Sequence, residues 1–120
     1  MSDIQMTIAM KKRTKRFALR VITLVRALPK SDEGSVIGRQ LLRSGTAVGA
    51  NYRAVCRARS NKEFVSKVGV VVEEADESAF WMELVIEAEL LAARRVNLLL
   101  AECNEILAML AAAYNTAKRK

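Results

Sequence analysis

Arg43 to Arg59 reads RSGTAVGANYRAVCRAR. Two glycines four residues apart, a run of small side chains, Asn51-Tyr52-Arg53 and then Arg57 and Arg59 fit three structures: a turn, a phosphate-cradling loop, or a helix with a bare face. The loop is disfavoured, because the lysine and Ser/Thr of that motif are missing and no strand precedes it. A glycine inside a helix costs about 1 kcal/mol relative to alanine. Gly45 and Gly49 therefore imply a compensating close contact, and small-x-x-x-small spacing lets helix backbones approach. We read the stretch as a helix, with Asn51 and Arg53 offering polar contacts.

Outward from it, Ile37, Leu41, Val48, Tyr52 and Val55 share one face, which predicts a helix from an N-cap near Ser35 to about 57–60. Upstream, Phe17, Val21, Leu24, Val25 and Leu28 form a buried stripe on a helix from about Lys11 to Leu28. Pro29 stops it, and LPKSDEGS makes the connection. Downstream, Ser60-Asn61-Lys62-Glu63 is a capping-box pattern. Phe64, Val68, Val71, Val72, Ala75, Ala79, Met82 and Ile86 then carry a helix to about Leu91. The fourth helix runs from about Arg94 to Lys118, with Val96, Leu99, Leu100, Cys103, Ile106, Leu107, Leu110 and Tyr114 inward. Short connections make neighbours antiparallel, so the expected fold is all-α: an up-down-up-down four-helix bundle in one domain over 1–120, with 1–10 and 118–120 frayed.

With 120 residues, 52% hydrophobic and only one proline, the chain can bury a core without staples. It has no histidine, so no imidazole base or ligand is on offer, and serines such as Ser44 and Ser66 have no base companion. No enzyme, no cofactor and no metal site are expected. Cys56 and Cys103 stand singly within apolar helical patterns and read as reduced thiols. Consecutive apolar runs such as VGVVV at 68–72 fall short of a membrane span. MSDIQMTIAMKKR places its charges after its apolar stretch, the reverse of a secretory signal, so a cytoplasmic protein without a membrane partner is expected.

Charge is uneven. Residues 1–67 carry 15 Lys/Arg against 4 Asp/Glu, while 68–120 carry 5 against 9. Either a polyanion partner or pairing between the two halves follows from this. Lys11, Lys12, Arg13, Lys15 and Arg16 crowd six positions, with Arg20 one turn on. At the start of a helix the macrodipole would oppose them, which points to a role outside helix stability. With Arg53, Arg57, Arg59 and Lys118-Arg119-Lys120 they are the expected phosphate contacts for RNA or another nucleic acid. Glu73, Glu74, Asp76, Glu77, Glu83, Glu87, Glu89, Glu102 and Glu105 read as a solvated acidic face or as partners for arginines, since di-iron bundles need Glu-x-x-His. The adjacent Phe80 and Trp81 should point to different sides of their helix, one to the core and one to a partner subunit, with core packing alone as the alternative.

The run from Leu28 to the C-terminal TAKRK resembles the small bacterial four-helix-bundle proteins encoded in 23S rRNA intervening sequences. QLLRSGTAVGANYR, ARSNKEF and EEADESAFWMEL are its most specific parts. By position, Ser44, Gly49, Asn51, Tyr52, Arg53, Arg59, Phe64, Glu74, Asp76, Glu77, Trp81 and Glu83 match the family pattern. The resemblance implies a bundle assembled as a ring-shaped homopentamer, a link to RNA, and no catalytic residues. More distant relatives are accessory proteins of diversity-generating retroelements, which implies a reverse transcriptase as an alternative partner. The chain departs from the pattern at Ala54-Val55, where relatives commonly read Glu-Ala, and in the VVV of 70–72.

Overall fold

A computed structural model describes residues 3–120, which form four α-helices: α1 (Asp3–Ala27), α2 (Asp32–Val55), α3 (Asn61–Glu87) and α4 (Asn97–Lys118). A single 3-10 turn, Ala93–Arg95, precedes α4, and no strand occurs among the described residues. Each helix packs chiefly on its neighbour in sequence, and the seam between α1 and α4 is the thinnest. The bundle measures 46 × 24 × 19 Å.

Four local devices set the helix ends. Pro29 follows α1, and the next helix is capped by Ser31, whose Oγ accepts from Gly34 N at 3.1 Å. The expected cap at Ser35 is thus one turn too late. Gly34 is the reason, because a Cβ there would lie 2.2 Å from Pro29 O, so the tight connection needs a glycine inside the first turn. Ser60 caps α3 as expected, accepting from Glu63 N at 3.0 Å. That helix ends in a Schellman arrangement: Leu90 N donates to Val85 O at 2.9 Å and Glu89 N to Ile86 O at 3.0 Å. Glu89, not a glycine, takes the left-handed position, with φ 59°.

The first helix starts at Asp3 rather than near Lys11, and Met10 is buried in the core. Lys11 to Arg20 therefore lie more than two turns inside α1. The macrodipole acts only over the first turn, so it places no penalty on them.

The core runs along the axis through Phe17, Val21, Leu41, Val48, Val68, Val71, Met82, Val85, Val96 and Ile106, all fully buried. Buried hydroxyls are satisfied. Thr14 Oγ1 donates to Met10 O at 2.9 Å, and Ser78 Oγ donates to Ser44 Oγ, also at 2.9 Å, across the α2–α3 contact. Cys103 is buried with Sγ 3.2 Å from Ala75 O, and burial pushes its thiol up to about 12. By length and composition α4 could cross a membrane, its most apolar stretch averaging a hydropathy of 1.2, although its consecutive apolar runs are short. Only 22% of that stretch is buried in the bundle, which leaves an exposed face of alanines with Leu98 and Met109.

Candidate nucleic-acid interface

Antiparallel connectivity turns the linear charge imbalance into an axial one. Gly49 sits beside Thr14, Ser44 beside Ser78, and Gly69 beside Tyr114, which fixes the levels of the four helices. On these levels residues 3–15, 49–71 and 108–120 share one end of the bundle. That end holds 12 of the 20 Lys/Arg and 2 of the 13 Asp/Glu. The opposite end holds 8 and 11, so the excess positive charge lies wholly at the first.

The glycine pair explains how the cations of two helices are gathered. A Cβ on Gly45 would lie 2.8 Å from both γ-carbons of Val21, and one on Gly49 3.2 Å from Thr14 O. Both glycines therefore meet α1 of the same bundle. With the backbones this close, Lys11, Lys12 and Lys15 of α1 and Arg53 of α2 line one cleft of about 320 Å³, floored by Gly49 and walled by Ala18, Thr46 and Ala50. All four cations are exposed. None has a carboxylate within ion-pair distance among the described residues.

The rest of the cluster on α1 faces the other way. At about 100° per residue, positions 13, 16 and 20 lie on the α4 side of the buried stripe and 11, 15 and 18 on the α2 side. Arg13 grips Glu102 through two hydrogen bonds of 2.7 Å, from Nε to Oε2 and from Nη2 to Oε1, with Glu105 3.3 Å away. Its guanidinium is held charged chiefly by the Glu102 hydrogen bond, and the same bond lowers the Glu102 carboxyl below its ordinary range. Arg13 is thus a clamp between the first and last helices, not a free phosphate contact. Arg16 and Arg20 lie near enough to Glu102 to lower it further, and Arg20 opens onto a second hollow with Arg94 and Arg95.

The remaining expected contacts sit at the basic end. Arg57 is exposed, and Arg59 approaches Glu63 only loosely, at 3.6 Å. Lys118 Nζ lies 5.5 Å from the Tyr114 ring centre, while Arg119 and Lys120 are exposed. Asn61 Nδ2 donates to Ala117 O at 2.9 Å, which ties the α2–α3 turn to the end of α4 and brings these cations together.

Sequence reasoning missed a polar network on the α2–α3 face. Arg43 Nη1 donates to Glu74 at 2.9 Å and Nη2 to Glu77, which also accepts from Trp81 Nε1 at 3.0 Å. The Trp81 hydrogen bond is the main reason the Glu77 carboxyl is lowered, with Arg43 adding to it. The i, i+3, i+7 spacing of Glu74, Glu77 and Trp81 was the available signal. Phe80 and Trp81 are not turned fully apart: their rings meet edge to face with centroids 4.9 Å apart, Trp81 half-buried and Phe80 half exposed. Tyr52 is a core residue, its hydroxyl pushed up to about 12 mainly by burial, and Asn51 is half-buried.

A larger apolar groove of about 640 Å³ follows the thin α1–α4 seam, lined by Met6, Met10, Tyr52, Phe64, Val68 and Met109 among others. Met6 and Met109 of its lining are also exposed. Among the described residues no group of three or more Cys, Asp or Glu is placed to hold a metal ion.

The profile of the 23S rRNA-intervening sequence protein family matches residues 6–112. A crystal structure of a protein with unknown function from the S23 ribosomal protein family of Bacteroides thetaiotaomicron is similar throughout. It is 30% identical, with a TM-score of 0.81, and the match covers 88% of this chain and 97% of that one. No curated protein matches the chain.

Proposed function

We propose that this chain, which belongs to the 23S rRNA-intervening sequence protein family, is a non-enzymatic, homo-oligomeric bundle that binds RNA through the basic end of each subunit. The observation that carries this reading is the axial segregation of charge, with no carboxylate among the described residues within ion-pair distance of Lys11, Lys12, Lys15, Arg53 or Arg57. Helix-borne lysines and arginines neutralise phosphates without reading bases, so affinity comes from released counterions. Assembly into a ring, as the resemblance implies, would multiply a modest patch by avidity. The exposed apolar face of α4 and the α1–α4 groove support self-association.

The test is RNA affinity as a function of salt. With six or more phosphate contacts, binding should weaken on the order of 10³-fold between 50 and 200 mM salt. A salt-independent affinity, or no binding at low salt, overturns the reading. One observation favours a second reading as a protein-interaction scaffold, such as a reverse-transcriptase accessory subunit. Phe80 stands half exposed on α3, on the side of the acidic residues. In that case reversing the charges at 11–16 would leave partner binding intact.

A further inference from the structure

We infer that the α1–α2 cleft is an anchoring subsite that seats two neighbouring phosphate groups, distinct in role from the scattered cations of the basic end. The inference rests on the nucleic-acid reading, which makes consecutive phosphodiesters of a strand the source; a terminal polyphosphate is the other source of the same chemistry.

Three observations carry it. First, the cleft draws its charge from two helices: Lys11, Lys12 and Lys15 on α1 meet Arg53 on α2 around a volume of about 320 Å³. Second, among the described residues no carboxylate lies within ion-pair distance of these cations. Between Glu33 and Glu63 the chain has no carboxylate, so α2 past its first turn brings no acid to this face. On the opposite flank of α1 the pattern reverses, and Arg13 is clamped by Glu102 with Glu105 close by. Four cations held together repel one another, and a single phosphodiester supplies only one negative charge. Two adjacent phosphates balance the cleft better than one. Third, the floor and walls are small, and Gly49, Ala18 and Ala50 leave the space open. The lysines supply mobile point charges and Arg53 a planar fork, a combination suited to phosphate oxygens in varied orientations.

The experiment places a carboxylate in the cleft without removing any cation. Ala50 is exposed, and Ala50→Glu sets a glutamate one helical turn from Arg53. Lys30→Ala, at the opposite end, lowers the net charge by the same unit and serves as the control. A second variant, Lys15→Gln with Arg53→Gln, removes charge from each wall. Helicity and thermal midpoint confirm that each variant is folded. RNA bearing a 5′-hydroxyl, the same RNA bearing a 5′-triphosphate, and inorganic tripolyphosphate are the probes. The expected result is an affinity for both RNAs at least tenfold weaker in Ala50→Glu and in the double variant, against less than twofold in Lys30→Ala. Tripolyphosphate should bind the unaltered protein and displace RNA from it. A preference for the 5′-triphosphate RNA assigns the site to strand ends, and equal affinity assigns it to internal phosphates; both support the subsite. If both cleft variants bind RNA as Lys30→Ala does, the subsite is overturned while RNA binding stands. If tripolyphosphate binds and is lost in Ala50→Glu while neither RNA binds, the subsite stands and the RNA reading falls.

Discussion

Gly45 shows how one missing β-carbon positions two helices. Adding a methyl there would press on both γ-carbons of Val21, a fully buried, β-branched side chain with no room to rotate away. Overpacking of this kind costs about 1–3 kcal/mol, offset by about 1 kcal/mol of gained helix propensity. Gly45→Ala should therefore lower stability by up to about 2 kcal/mol in urea unfolding. Gly38→Ala is the contrast, because its new carbon meets the flexible end of Leu28 at 3.3 Å and should be neutral or stabilising. Combining Gly45→Ala with Val21→Ala should cost less than the two changes separately, since the γ-carbons that clash are gone. Cys103 gives a second residue-scale expectation. Its thiol lies near 12 in the folded chain against an ordinary value near 9, so folding favours the protonated form. That contribution is complete below about pH 9 and is lost as pH rises towards 12, and Tyr52, also pushed up to about 12, acts in the same direction. The urea midpoint should fall across this window, and Cys103→Ala should flatten part of the fall.

Among the elements, α3 is the one whose ends differ most in quality. Its start has a serine cap that the sequence announces, while its end places Glu89 at φ 59°, a conformation that costs an L-residue about 1–2 kcal/mol. Glycine there would remove that strain and lose part of the gain to its greater freedom when unfolded. Glu89→Gly should raise stability by about 0.5–1 kcal/mol, read as a thermal midpoint higher by roughly 2–6 °C. The helix following it begins at Val96 without any side-chain cap, so its placement depends on burial of Val96 and on the clamp from Arg13 to Glu102.

For the whole molecule, the axial charge and the unburied apolar surface act on different faces, and each predicts its own measurement. The RNA affinity and its salt dependence follow the basic end. Self-association follows the α1–α4 side, where Met6 and Met109 line the groove and are exposed at 51% and 44%. Met6→Asp with Met109→Asp should reduce the assembled mass to that of the 13.3 kDa chain by light scattering while leaving helicity intact. An unaltered protein already at that mass would remove self-association from the proposal.

The sequence by itself determined the four helices, their stripes and the ends that a local signal marks, the stop before Pro29 and the Ser60 cap, because helix periodicity, a proline and a serine cap act within a few residues of chain. It also marked Gly45 and Gly49 as a contact surface without saying what they touch. Tertiary structure alone decided that they meet α1 of the same bundle at Val21 and Thr14. It also separated cations that are adjacent in sequence: Arg13 to Glu102, 89 residues away, and Lys11, Lys12 and Lys15 to the cleft beside Arg53. The physical reason is that a charge's role depends on what lies within a few ångströms of it. In a bundle those neighbours come from other helices, whose level and facing side are fixed only when the whole core packs.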